Sequence, residues 1–154
     1  MKRRSLIASI AVLAIFALTS FSGLPNAASA LDVSSRMKVN VPFAFSLGAT
    51  EFPAGPYVVE RSGNDIVRLQ NTSNWKSAVS LVSGELKRAT PRPQLVFHRY
   101  GDKYFLARMD GINDTAYRFP SSKKEREVAR QLKDRLAKDT ISPEVITVGA
   151  VPAS

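Results

Sequence analysis

Apolar and polar residues alternate along the first part of the chain with the period of two that is typical of half-buried β-strands. Lys38–Leu47 alternates without interruption, with valine, phenylalanine and leucine at every second position. Shorter runs of the same kind lie at 57–61, 66–70 and 76–82, separated by clusters of Gly, Pro, Asn, Asp and Ser. Short strands at this spacing predict a β-sandwich or a β-barrel.

The clearest local signal is Gln94–Met109, where two aromatic-rich apolar runs are separated only by Gly101 and Asp102. A two-residue loop that begins with glycine is typical of a β-hairpin, because glycine adopts the positive φ that such a turn requires. The loop predicts four cross-strand pairs: Tyr100 with Lys103, Arg99 with Tyr104, His98 with Phe105, and Phe97 with Leu106.

Both faces of this hairpin are largely apolar. If the alternation continues to the end of the second strand, Phe97 and Arg108 share one face, whereas Phe105 and Met109 share the other. Strands with two apolar faces are usually covered on both sides. We therefore expect a second element to pack on the outer face of the hairpin.

A helix is predicted over residues 122–138. Ser122 followed by Glu125 forms a capping box, and Val128, Leu132 and Leu136 then recur at every fourth position. Three apolar side chains, at about 1.5–3 kcal/mol each, can hold a docked helix but not an isolated one. The helix is therefore expected to pack on the sheet, over the hairpin face that carries Val96, Phe105 and Met109. A last strand is predicted at 145–148.

Together these elements predict a mainly β domain of the α+β type over residues 31–154. We expect a single small antiparallel β-sandwich or barrel of about six or seven strands with one C-terminal helix. A chain of 154 residues is long enough for one such domain.

The first 30 residues are typical of a cleaved secretory signal peptide. Lys2, Arg3 and Arg4 precede an apolar segment, Leu6–Phe21, and Ala28-Ser29-Ala30 fits a small-x-small cleavage site. Nine uninterrupted apolar residues, Ile10–Leu18, fall short of the roughly 20 that a membrane-spanning helix needs. We expect an exported protein, periplasmic or extracellular, with no membrane span in the mature chain.

The charge of the chain is positive. Lys and Arg number 22 against 13 Asp and Glu, a net charge of +9, of which three charges belong to the predicted signal peptide, leaving +6. An exported basic domain meets polyanions such as lipid head groups and acidic polysaccharide, whereas nucleic acid is not expected as a partner. A basic surface that only maintains solubility is the simpler interpretation. The chain has no cysteine, which excludes disulfides and thiolate chemistry.

Nothing in the sequence indicates a catalytic, metal or cofactor site. His98 is the only histidine, and the predicted hairpin places no acid beside it. Catalysis would need a partner carboxylate or nucleophile, and a metal site would need further ligands. His98 is therefore interpreted as structural, and an enzyme is disfavoured.

Basic and aromatic residues together suggest a surface-binding site, because such groups can bind a polyanion or stack on a sugar ring. The loop before the hairpin and the hairpin itself contribute Lys87, Arg88, Arg92, Arg99, Tyr100 and Tyr104. The predicted helix adds Lys123, Lys124, Arg126, Arg130 and Lys133, although a helix that mixes acids and bases is more often a solvated face.

Three segments carry a resemblance to a known family: Val41–Phe45 (VPFAF), Pro53–Tyr57 (PAGPY) and Leu95–Leu106 (LVFHRYGDKYFL). Followed by a charged helix, they resemble a family of small exported bacterial proteins with VPFxF, PAGxY and LVFxRYGxxYFL motifs. The resemblance covers most of the chain after the predicted signal peptide. It implies an all-β domain with a C-terminal helix, no established activity and no site residues.

Two hypotheses on function follow. The first is a non-enzymatic cell-envelope or extracellular module that associates with an envelope polyanion or a protein partner. The alternative is a carrier of a small apolar ligand inside a β-barrel, which would require a dry cavity within the sheet.

Overall fold

The computed structural model describes residues 36–63, 65–86, 92–112, 115–136 and 141–153. The predicted signal peptide lies outside these ranges, as do Lys87 and Arg88. The elements are β1 (Arg36–Val41), β2 (Phe45–Leu47), β3 (Thr50–Phe52), β4 (Gly55–Ser62), β5 (Ile66–Asn71), β6 (Ser77–Leu81), β7 (Ser83–Leu86), β8 (Gln94–Tyr100), β9 (Lys103–Ile112), β10 (Thr115–Arg118), α1 (Lys123–Leu136) and β11 (Glu144–Pro152).

The strands form one sheet that nearly closes into a barrel. Neighbouring strands follow the order β3-β2-β9-β8-β11-β1-β4-β5-β6, and β10 pairs with both β9 and β7. Because β7 follows β6 almost directly, this segment connects the β5 side of the sheet with the β9 side. The mainly β class with a helix is confirmed. The number of strands was underestimated, because β2, β3, β7 and β10 have only three or four residues each and are too short to show an alternation.

The long first strand predicted at Lys38–Leu47 is two strands. β1 ends at Val41 and β2 begins at Phe45, with Pro42 between them. Proline has no N–H to donate to a strand ladder, so the chain leaves the sheet at this point. β1 pairs on both sides, with β4 and β11. The VPFAF segment therefore marks a break in a strand.

The final strand is longer than predicted and lies inside the sheet. The sequence predicts 145–148, whereas β11 extends from Glu144 to Pro152 and pairs with β8 on one side and β1 on the other. The helix is consequently not the last element of the chain. Gly149 and Pro152 weaken the alternation that would have indicated the full strand.

The hairpin of β8 and β9 confirms all four predicted cross-strand pairs, and Gly101 has a φ of +64°. The predicted assignment of side chains to the two faces of the hairpin is wrong beyond Leu106. Val96 pairs with Arg108 while Phe97 pairs with Leu106, so Ala107 is an extra residue in β9. This β-bulge shifts the alternation by one position. As a result, Met109 is fully buried in the interior instead of Arg108.

The interior of the sheet is filled with large side chains, many of them aromatic. Phe45 lies at the centre of an aromatic cluster, with ring centroids 5.2 Å from Phe97, 5.3 Å from Tyr57 and 5.5 Å from Phe52. The largest fully buried residues are Tyr57, Phe52, Phe97, Met37, Leu69, Leu95 and Met109. Filling by side chains is typical of small barrels.

Helix α1 begins as predicted. The backbone N–H of Glu125 donates to Ser122 Oγ at 3.0 Å, which satisfies one of the free donors of the first turn. α1 lies on the outer face of β8, the face turned away from the interior, so the predicted packing against the hairpin is correct, except that the bulge removes Met109 from this face. The predicted end at residue 138 lies outside the described residues.

Candidate functional site

The residues predicted as a surface-binding site do not come together in the described structure. Lys87 and Arg88 lie outside the described ranges. Arg92 precedes β8, whereas Arg99 lies near the end of this strand. At about 3.3 Å per residue, these two arginines are about 20 Å apart.

Arg99 and Tyr104 form a local cluster at the tip of the hairpin. The guanidinium of Arg99 lies 5.5 Å from the centroid of the Tyr104 ring, and this ring stacks on Phe43 at 4.0 Å. Arg99 Nε donates to the carbonyl of Gly101 at 2.8 Å, and its terminal nitrogen donates to the Glu144 carboxylate at 3.1 Å. Two of the five donors of Arg99 are thus used within the protein, and its charge is balanced by Glu144, which weakens its attraction for a polyanion.

Tyr100 belongs to a different cluster, on the outer face of the sheet. There His98 Nδ1 lies 2.8 Å from Glu125 Oε1, and Glu125 is only 5% exposed. Tyr100 packs edge-on against Phe105 at 6.0 Å. Burial, followed by the negative charge of Glu125, raises the pKa of the Tyr100 phenol above its ordinary value.

The acid beside His98 was missed because it comes from the helix and not from the hairpin. A signal was nevertheless present. Glu125 lies three residues before Val128, and Leu132 follows four residues later, so all three share one side of α1, where Glu125 is buried and Val128 and Leu132 are half-buried. A carboxylate in an apolar stripe requires a partner, and His98 supplies it.

A cleft of about 290 Å³ lies beside this pair. Its basic groups are neutralised from within the structure. Arg108 Nε lies 2.7 Å from Asp110 Oδ1, and Gln94 donates to the other oxygen of Asp110 at 2.9 Å. Arg118 pairs with Glu85 at 3.0 Å. Because each of these two arginines already has a carboxylate, the cleft is poorly suited to capture an anion. The cleft is lined by Val96, His98, Ala107, Arg108, Arg118, Phe119, Ser121, Glu125 and Val145.

The solvent side of α1 differs from this cleft. Lys123, Arg126, Arg130 and Lys133 are all exposed and follow one another at spacings of three, four and three residues. These spacings place them along one side of a helix, away from Glu125, Val128 and Leu132. We call this row of four bases the basic flank. Lys124 is not part of it, because it lies on a different side of the helix. There its ammonium group binds Glu51 and holds the pKa of that carboxyl below its ordinary value.

Within the described ranges, no group of three or more His, Asp or Glu side chains is arranged to hold a metal ion. The same part of the chain contains no helix that is both long and apolar enough to cross a membrane.

No protein-family model matches the chain, and comparisons with curated proteins and with solved structures also give no match.

Replacing Glu125 with alanine is expected to destabilise the protein by about 2 kcal/mol, measured by urea unfolding. Leaving a buried polar group without its hydrogen-bond partner costs about 1–3 kcal/mol, and a value in the middle of this range is expected because the His98 side chain, 32% exposed, can be rehydrated. The matched control is Glu127→Ala in the same helix. The side chain of Glu127 is 44% exposed, so this change should alter stability by less than about 0.5 kcal/mol. Equal losses would show that Glu125 does not hold α1 on the sheet.

Proposed function

We propose that the protein is an exported, non-enzymatic module of the cell envelope that associates with an envelope polyanion through the basic flank of α1. The observation that carries the proposal is the row of four exposed bases on the solvent side of a helix whose other side is fixed to the sheet. Export rests on the predicted signal peptide. Export would bring the basic flank into contact with anionic lipid and polysaccharide.

The spacing of the basic flank suits an extended anion better than a small one. Lys123 and Lys133 are separated by ten residues, or about 15 Å along a helix. A single phosphate or carboxylate cannot contact both ends of such a row. Repeated anionic groups, as on a lipid surface or a polysaccharide chain, can.

The attraction should be moderate and sensitive to salt. Glu127 and Asp134 lie along one border of the basic flank, and Glu127 pairs with Arg130 at 2.6 Å. That contact lowers the pKa of the Glu127 carboxyl below its ordinary value, so it remains charged at neutral pH. Exposed charges are screened over about 8–10 Å at physiological ionic strength. Binding should therefore weaken as salt is raised.

Other surface bases are less suited to this role because they lie on separate strands and form no row, and several of them, like Arg130 in the basic flank, are paired with a carboxylate. Arg36 binds Glu60 at 2.7 Å, and Arg99 and Arg118 pair with Glu144 and Glu85. Catalysis is not part of the proposal. His98 is engaged by Glu125, and the arginines of the neighbouring cleft are paired with acids.

Replacing Lys123 and Lys133 together with glutamine is expected to weaken binding to anionic phospholipid vesicles about 10- to 30-fold, because each base near an anionic surface contributes about 1 kcal/mol. Binding is measured by co-sedimentation at low and at physiological salt. The control, Lys38→Gln with Arg68→Gln, removes the same charge from exposed positions on β1 and β5. An equal loss in both variants would indicate a diffuse charge effect and contradict the proposal.

A parallel measurement with an acidic polysaccharide distinguishes the two sources of anion. Selective loss with vesicles indicates lipid head groups, and selective loss with the polysaccharide indicates a glycan. If the unmodified protein binds neither of them at low salt, the proposed function is wrong.

A further inference from the structure

One edge of strand β6 is unpaired in the part of the chain that the structure describes. β6 ends the strand order and pairs only with β5 among the described strands. The N–H of Asn71 donates to the carbonyl of Lys76, and the N–H of Val82 donates to the carbonyl of Asp65, each at 2.8 Å. In an antiparallel ladder these bonds alternate along the strand. The backbone groups of Ser77, Val79 and Leu81 therefore point away from β5.

The composition of β6 does not protect this edge. Its sequence, Ser-Ala-Val-Ser-Leu, contains no charge, proline or glycine, the features by which proteins usually prevent pairing between edges. Two of its three outward side chains are apolar, with Val79 66% and Leu81 69% exposed, and the third is Ser77. Ile66, which pairs with Leu81 from β5, is 40% exposed. A free edge with an apolar outer face is a surface suited to another strand.

The two ends of the β6 edge differ in shape, with an exposed indole ring at one end and a groove at the other. Trp75, two residues before β6, is 72% exposed and has a φ of 60°. Beyond the other end of β6 lies a groove of about 360 Å³, lined by Leu81, Val82, Ser83, Arg118, Phe119, Pro120 and Ser121. Trp75 and Ser83 are equally distant from Val79 along the chain. A two-fold axis at Val79 would therefore place the indole of each copy at the groove of the other.

We propose that the β6 edge pairs with the same edge of a second copy of this chain, antiparallel and centred on Val79. Val79 then faces Val79 of the other copy, Ser77 faces Leu81, and Trp75 faces Ser83. Such a contact is isologous and closes on itself, so it gives a dimer and not a fibre. The inference is independent of the proposed polyanion binding, because α1 does not contribute to the edge.

The size of the contact predicts a weak dimer. Trp75, Ile66, Val79 and Leu81, with the edge backbone, bury on the order of 1,000 Å² over both copies, using about 100 Å² for each apolar side chain. This area is at the lower limit for a specific interface. The dissociation constant is therefore expected in the micromolar range.

Trp75 is the only tryptophan of the chain, so its emission reports on the contact directly. The purified protein is examined by sedimentation velocity and tryptophan fluorescence from about 1 to 200 μM, the range that brackets a micromolar dissociation constant. We expect the mass to double and the emission to shift to shorter wavelength over the same range. Val79→Lys should abolish both changes, because two lysines would face each other at the axis.

The matched control is Val145→Lys on β11. Val145 is 61% exposed, but β1, β4 and β5 separate its strand from β6 in the sheet, so it lies away from the proposed contact. This variant should dimerise as the unmodified protein does, and circular dichroism should show that both variants are folded. The proposal is wrong if the unmodified protein stays monomeric throughout the range, or if Val79→Lys still dimerises. A doubled mass without a shift in the emission would overturn the arrangement centred on Val79.

Discussion

Replacing Gly111 with alanine is expected to destabilise the protein by about 4 kcal/mol. Gly111 has a φ of +86°, and an added Cβ would lie 2.6 Å from the Cα of Pro93 and 2.7 Å from its nitrogen. Both atoms belong to the backbone, so no side chain can rotate away, and the start of β8 must move. The positive φ costs about 1 kcal/mol for an alanine, and overpacking adds about 3 kcal/mol. A loss of this size is a large fraction of the stability of a typical domain.

Gly101→Ala separates the two causes, and both variants are measured by urea unfolding. Gly101, in the hairpin loop, also has a positive φ of +64°, but an added Cβ would meet nothing within 4 Å. This variant should lose only about 1 kcal/mol. If the two alanine variants lose the same amount, the close approach of Gly111 to Pro93 does not limit stability.

Replacing Phe97 with alanine is expected to cost about 3–5 kcal/mol, the usual range for truncating a fully buried phenylalanine. Phe97 is 0% exposed, and its ring meets Phe43 and Phe45 edge-on, each at 5.2 Å. Few neighbouring groups can move into the space left behind, because the surrounding positions are held by large side chains. The measurement is thermal or urea unfolding, with Val151→Ala as control. Val151 is 60% exposed in β11, so its truncation should cost less than about 0.5 kcal/mol.

The Phe97 variant also tests the apolar-carrier alternative. A carrier needs open space inside the sheet, and a side chain next to open space loses little when it is shortened. A cost below about 1 kcal/mol for Phe97→Ala would therefore favour a carrier. A cost within the expected range would support an interior whose packing serves stability.

Local signals in the sequence predict the parts of the fold that depend on neighbouring residues. The Gly101-Asp102 loop correctly predicts the pairing from Tyr100 to Leu106, and Ser122 correctly predicts the start of α1. The prediction fails at Ala107, because a bulge leaves no mark in a run where both faces are apolar. The position of the bulge depends on the simultaneous pairing of β9 with β8 and with β10.

The candidate sites were less predictable because they depend on contacts between distant segments. The Tyr100 and Tyr104 rings are close in sequence, but the pleat sends them to opposite faces of the sheet. Glu125 reaches His98 only after α1 has docked on β8. The bases of α1 and the apolar positions of its packed side were recognisable in the sequence, but the burial of Glu125 on that packed side was not. The free edge of β6 follows from strand order, which alternation alone does not encode.

The position of β11 has a consequence for the order of events during synthesis. β11 lies between β1 and β8, and Met37 pairs with Pro152. Until β11 emerges from the ribosome, β1 and β8 have no strand between them and the sheet remains open. At about 5–20 residues per second, the ribosome takes about 6–23 s to proceed from β1 to the end of β11. The nascent chain therefore cannot complete its sheet before Pro152 has been synthesised.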